Sequence, residues 1–100
     1  MPELLIAGGL TVDRFADGTT APGGSVLHAG AAAAAEGVRP SFLTVAGSEP
    51  EAVAGLARLG ALGELHHASA AATTAFAHHQ RDGRRVLVYE TAGGQLAVPD

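Results

Sequence analysis

Pro40-Ser41-Phe42-Leu43-Thr44-Val45-Ala46-Gly47-Ser48-Glu49-Pro50-Glu51 is the stretch whose reading decides the fold. Pro40 interrupts what precedes it. The run that follows is short, nearly continuous in apolar or β-branched side chains, and stopped by Gly47, as expected of a strand buried on both faces of a parallel sheet. A helix start comes next. Ser48 can cap it, Pro50 suits the first turn, and Glu51 completes a capping box with Ser48. Val53, Leu56 and Leu59 then form a narrow apolar stripe, and Gly60 is the natural stop.

The same order is written once more on the N-terminal side. Residues 3–8, Glu-Leu-Leu-Ile-Ala-Gly, are a second buried-strand candidate, and Gly8-Gly9 lets the backbone turn or approach another group closely. Residues 14–22 are polar and turn-rich, with Asp17-Gly18 and Ala21-Pro22 as breakers. Gly23-Gly24-Ser25 precedes Val26-Leu27-His28-Ala29-Gly30 and five alanines. Alanine is the best helix former. Ser25 or Gly24 starts this helix and Gly37 ends it. Strand, helix, strand, helix predicts parallel strands joined by right-handed crossovers.

The last third changes character. Leu62 to His67 reads as a short strand. Thr73 to Gln80 and Arg84 to Glu90 flank Arg81-Asp82-Gly83, a hairpin signal. In the second arm Val86 and Val88 alternate with Leu87 and Tyr89, so both faces carry apolar groups. Leu96 to Asp100 supplies no obvious closing element.

Composition narrows the function classes. Apolar residues are 47% of the 100, but alanine supplies 22 of them and Leu, Val, Ile and Phe only 23. The true core-formers thus sit just above the ~20% below which chains tend to disorder. A thin core in one small domain predicts the front portion of something larger. The absence of cysteine excludes disulfides, Cys zinc sites and thiol nucleophiles. Net charge is −4, and the arginines are dispersed apart from Arg81, Arg84 and Arg85, so no basic stripe for nucleic acid exists. No apolar run approaches the ~18 residues of a membrane span. Met1-Pro2-Glu3 lacks the positive start of a signal peptide. The expectation is a cytoplasmic protein with neither a nucleic-acid nor a membrane partner.

Four places can carry chemistry. Gly23-Gly24 stands at a helix N-terminus, where amide donors and the helix dipole favour a hydroxyl or anion, or where the pair simply makes a tight turn. Asp13 follows the first strand. In open α/β sheets ligands bind beyond the carboxyl ends of strands, and a carboxylate there can accept two hydroxyl hydrogen bonds from a polyol; a solvated loop carboxylate is the plainer reading. His28, a turn into the first helix, can donate and accept hydrogen bonds or merely fill space beside alanines. The pairs His66-His67 and His78-His79 lack metal-ligand spacing. Adjacent strand residues point to opposite faces, so each pair offers one ligand per face, and structural or solvent-facing histidines are expected. Neither G-x-G-x-x-G nor G-x-x-x-x-G-K-[ST] is present.

Taken in order, these segments resemble the N-terminal portion of a ribokinase-like (PfkB-type) carbohydrate kinase. Ile6-Ala7-Gly8-Gly9-Leu10-Thr11-Val12-Asp13 resembles the family's first strand and its aspartate. Pro22-Gly23-Gly24-Ser25-Val26-Leu27-His28-Ala29 resembles the glycine-pair signature opening the first long helix. Phe42 to Gly47 matches the second strand and its glycine, and Leu56-Ala57-Arg58-Leu59-Gly60 the end of the next helix. Thr73-Thr74-Ala75-Phe76 with Asp82-Gly83-Arg84-Arg85 resembles the strand pair that follows. The likeness spans nearly the whole chain.

The resemblance implies an α/β fold: a Rossmann-like parallel βαβα unit followed by a lid-type β-hairpin, together an incomplete ribokinase-like fold. Residues 1–100 would be a single N-terminal portion, with 1–61 the βαβα substrate-side half and 62–90 the strand and hairpin region. It further implies that Asp13 binds sugar hydroxyls, that Gly23 and Gly24 meet the substrate through backbone, and that Ser25 and His28 fall at polar substrate contacts. Ala75 and Ala77 would face the sugar from the lid, to within one residue in register. The departures are His28 where Asn is common, Ser48-Glu49 where Asp-Asp or Asp-Glu usually follows the glycine, and Ala52 where a glycine is usual. The stretch from Arg14 to Pro22 leaves little room for the first lid strands.

The family's D-T-x-G-A-G-D segment, which carries the catalytic base and adjoins the ATP pocket, has no counterpart in the chain. No catalytic residue and no metal ligand is therefore assigned, and the chain as it stands is not expected to be a competent kinase. The implied role is the substrate-binding part of an ATP-dependent sugar or polyol kinase, with ATP and Mg bound in a full-length parent and not by this chain alone. The alternative is a non-catalytic remnant, self-associating as a homodimer through the lid or an exposed sheet edge. A small nucleotide-binding module is a third.

Overall fold

The computed structural model describes residues 4–94. The elements are β1 (Leu5–Ala7), β2 (Thr11–Arg14), β3 (Thr20–Gly23), α1 (Ser25–Ala35), β4 (Ser41–Ala46), α2 (Pro50–Leu62), β5 (Glu64–Ser69), β6 (Thr74–Arg81) and β7 (Arg84–Thr91). They build two sheets. β1, β4 and β5 lie side by side and parallel, while the second sheet has the order β3-β2-β6-β7.

The parallel sheet is the expected βαβα unit, extended by β5. Ile6 aligns with Phe42 and Phe42 with Leu65, so these three share a face. Both helices pack there. Phe42 is fully buried and sits at the centre of a cluster with Leu10, Val26, Leu27, Ala46, Ala52 and Leu59. Gly30 explains how an alanine-rich helix comes so close: a Cβ at that position would lie 2.8 Å from the Phe42 ring. The opposite face carries Leu5, 62% exposed, and no described element covers that residue or Ala7.

α1 ends at Gly37 as expected, whereas α2 differs from expectation at both ends. α1 stops in a Schellman arrangement, with Gly37 at φ +76° and the Val38 amide donating to the Ala33 carbonyl. α2 starts with Glu49 at the cap position and Pro50 as its first residue, with no side-chain cap. The Ser48–Glu51 capping box does not form. Glu49 is taken by Thr73 and Glu51 by Thr20, whose hydroxyl donates at 3.0 Å. The helix also passes through Gly60 to Leu62 and ends at Gly63, where a side chain would collide with the Pro40 carbonyl. Its buried face is Ala52, Gly55 and Leu59; of the expected stripe Leu59 is buried and Leu56 packs against the core, while Val53 is 55% exposed.

The second sheet corrects one expectation outright. The stretch from Arg14 to Pro22 does have room for lid strands, because four-residue strands suffice when Asp17-Gly18 makes the turn. Thr19 donates to the Asp17 carboxylate through its amide, 2.9 Å, and its hydroxyl, 2.6 Å, which fixes that turn. β2 then pairs parallel with β6 and antiparallel with β3, and β6 with β7 across the Asp82-Gly83 turn, where both residues have positive φ. The two sheets consequently do not divide the chain at residue 62. β5 completes the parallel sheet, while half of the lid comes from ahead of α1. The tail from Leu96 to Asp100 lies outside the described residues.

α2 supports the lid. Gly55 lies against Pro22 and Leu10, and Leu10, 1% exposed, links the end of β1 to the start of β2.

Candidate functional site

The site grows from the chain's path at the carboxyl end of β1. After Ala7 the backbone still bonds to β4, through the Gly8 amide to the Leu43 carbonyl at 3.0 Å and the Leu10 amide to the Val45 carbonyl at 3.4 Å. It then leaves the sheet as β2, which carries Asp13 beyond the strand end. β3 returns antiparallel and delivers Gly23 opposite Thr11, with Asp13 opposite Ala21. Strand alternation puts Thr11, Asp13 and Gly23 on one face. The Thr11 hydroxyl donates to Asp13 Oδ1 at 3.1 Å, and Oδ2 lies over Gly23, where any Cβ would collide with it. Gly23 is thus glycine because the carboxylate occupies its side-chain space.

Gly24 is glycine for another reason. Its φ is +105°, and a Cβ would lie 2.6 Å from the Gly9 carbonyl oxygen. That tight passage aims α1 at the strand ends. No side chain caps α1 and no acidic residue stands in its first turn, so the dipole end is open to an acceptor group. Ser25 and His28 are both exposed on that first turn and a half, with Ser25 beside Gly8.

The structure brings Asp13, Gly23, Gly24 and Ser25 to one edge of the parallel sheet. Ala75 and Ala77 stand elsewhere. Ala75 aligns with Val12 and Ala77 with Arg14, so both share the face of Pro22 and Thr20 that turns to α2. Ala77 is 5% exposed. The lid residues beside Asp13 are one position over in register, Phe76 and His78.

His78, expected from the sequence to be structural or solvent-facing, lies on the Asp13 face of its sheet. Its Nε2 stands 3.7 Å from Asp13 Oδ1, and its ring stacks on Phe15 at 4.9 Å. His79 points away and is exposed, as strand alternation requires, and both His66 and His67 are exposed on β5. The signal that singles out His78 is parity: it is two residues from Phe76, which aligns with Asp13.

A second polar group ties the lid to the parallel sheet. The Glu49 carboxylate accepts from the Thr73 amide at 2.8 Å and the Thr73 hydroxyl at 2.6 Å, while that hydroxyl accepts from the Gly47 amide at 2.7 Å. The Thr73 hydroxyl first, and its amide second, hold the Glu49 carboxyl below its ordinary range. Glu49 is therefore a lid anchor.

No family model and no curated protein matches the sequence. Solved structures do. A fructokinase from Xylella fastidiosa superposes with a TM-score of 0.73 at 18% identity, over 87% of this chain and 31% of that one. A pyrophosphate-dependent kinase of the ribokinase family gives 0.66 at 17%, over 94% and 35%. A microbiome-derived acarbose kinase gives 0.63 at 15%, over 88% and 36%. The fold is ribokinase-like and partial: the chain spans about a third of the length of each of these kinases.

Proposed function

We propose that this chain forms the substrate-binding part of an ATP-dependent carbohydrate kinase that phosphorylates a hydroxyl of a sugar or polyol. The observation that carries the reading is the Asp13 carboxylate, held by Thr11, standing over the side-chain-free Gly23 at the open start of α1. A carboxylate accepts hydrogen bonds from neutral hydroxyls, and glycine backbone lets a ring approach. Asp13 would orient the substrate. Ser25 and His28, exposed on the first turn and a half of α1, would supply further polar contacts. Among the structures of similar fold are a fructokinase, an acarbose kinase and a kinase complexed with myo-inositol, which supports a polyhydroxylated ligand.

MgATP would supply the phosphoryl group in the complete enzyme. Among the described residues no three His, Asp or Glu side chains converge on a cation site, and none is assigned a part in nucleotide binding. The general base for the attacking hydroxyl is likewise placed elsewhere. No described helix is long and apolar enough to cross a membrane, and a cytoplasmic site of action is part of this reading.

The test is calorimetric titration of the protein with hexoses and polyols, beginning with fructose and myo-inositol. The expected result is binding of at least one, weakened by about 1–3 kcal/mol in Asp13→Ala, since a charged acceptor is lost. Binding that is unchanged in this variant removes Asp13 from the site.

One observation favours a second reading, a self-associating module without chemistry. Leu87, Val88 and Tyr89 on β7 are 53%, 43% and 59% exposed, an apolar strand at a sheet edge that could pair two copies. Sedimentation of the protein distinguishes the two: a dimer that binds no sugar supports the module.

A further inference from the structure

We infer that His78 is the positioning residue for Asp13, clamping the substrate-binding carboxylate from the neighbouring strand β6. This rests on the carbohydrate-binding reading of Asp13 given above. His78 and Asp13 side chains are each only about a fifth exposed, at 17% and 20%. Both ring nitrogens of His78 are buried without a hydrogen-bond partner. Buried polar atoms are rarely left so, because their lost hydration is not replaced. Asp13 Oδ1 stands 3.7 Å from Nε2, and hydrogen bonds of binding machinery are often long without ligand and tighten with it.

The geometry says what the clamp does. Thr11 and His78 converge on the same oxygen, Oδ1, from β2 and β6. Oδ2 is left free over Gly23. Once the His78 contact tightens, Oδ1 is held by two donors, the carboxyl plane cannot rotate, and Oδ2 stays aimed at the space above the glycine pair. Phe15 packs against the imidazole at a tilt of 31°, which restricts the ring in turn. Because β2 and β6 are neighbours in one sheet, Asp13 and His78 keep their register whatever the position of that sheet. The substrate side of the site thereby includes a residue that need not touch substrate.

Four variants decide it: His78→Phe, which keeps a ring against Phe15 and removes both nitrogens; His78→Gln, whose amide can donate from near the Nε2 position; Asp13→Ala; and the Asp13→Ala, His78→Phe pair. Calorimetry uses fructose and myo-inositol as probes. Affinity should fall about tenfold in His78→Phe, the loss of one charge-assisted hydrogen bond, and return to within about twofold in His78→Gln. In the Asp13→Ala background His78→Phe should change nothing further, because neighbours acting as a unit are non-additive. Full additivity, or no rescue by Gln, overturns the clamp. A ligand-free readout runs in parallel: urea unfolding of the same four proteins should show the two substitutions coupled, with Asp13→Asn replacing Asp13→Ala should the latter not fold. If neither probe binds to the wild type, the carbohydrate reading fails by itself, and the unfolding cycle alone accepts or rejects the His78–Asp13 pair.

Discussion

Gly23 and Gly30 are ordinary letters in this chain with opposite demands on them. Gly23 leaves room for the Asp13 carboxylate. Replacing Gly23 with alanine should displace Asp13 and cost sugar affinity at least as much as Asp13→Ala does, with a smaller effect on unfolding, which paired calorimetry and urea titration would show. Gly30 sits in the middle of α1, where helix propensity alone favours alanine by about 1 kcal/mol. Its missing Cβ is instead filled by the fully buried Phe42 ring. Overpacking of a core costs about 1–3 kcal/mol, so Gly30→Ala should destabilise the protein against its propensity. A gain in urea midpoint would contradict the Phe42 contact.

At the scale of elements, the anchor between α2 and the lid depends on an ionised Glu49. Its carboxyl is held below the ordinary carboxylate range by the Thr73 hydroxyl and amide. A lowered folded value means that the anchor's contribution is present above about pH 4.5 and is lost as pH falls through the folded value. Acid should therefore loosen β6 first. Hydrogen exchange at residues 73–77 should rise on acidification through this range, after correction for the intrinsic rate, and the rise should be blunted in Glu49→Gln, which is already neutral. Equal behaviour of the two proteins would mean that the anchor carries no such dependence. The same element shows where sequence signals mislead. Ser48, Pro50 and Glu51 spell a capping box, and the helix does begin at Pro50. The acidic side chains, however, go to Thr73 and Thr20, each distant in sequence. Glu51, the acid of that box, goes to one tertiary donor, the Thr20 hydroxyl, while the two-donor pairing is that of Glu49 with Thr73.

For the whole molecule, the uneven covering of the parallel sheet matters most. One face is packed by both helices, while Leu5 on the other is largely exposed. The extents of 48 × 30 × 22 Å and a radius of gyration of 14.2 Å, against about 13 Å for a 100-residue globule, reflect a lid standing off that sheet. Residues 1–100 expressed alone should associate at micromolar concentration or bind a hydrophobic dye such as ANS. A monomer with a sharp, cooperative melt and no dye binding would show that the uncovered face needs no partner.

The parallel strands, both helices and the β6–β7 hairpin were legible in the sequence because their signals are local: apolar runs of strand length, alanine content, and Asp82-Gly83 between alternating arms. The Asp13 and glycine-pair edge was legible because such sites follow from strand ends and helix starts. The β2–β3 hairpin was not, since four-residue strands carry too few side chains to show a period. Nor was the pairing of β2 with β6, parallel strands about sixty residues apart in the chain. That pairing decided what no local pattern can: it set the register that turns Ala75 and Ala77 towards α2 and brings His78 to Asp13. A shift of one residue between strands exchanges their two faces, so identity along the chain names the candidates while strand pairing across space chooses among them.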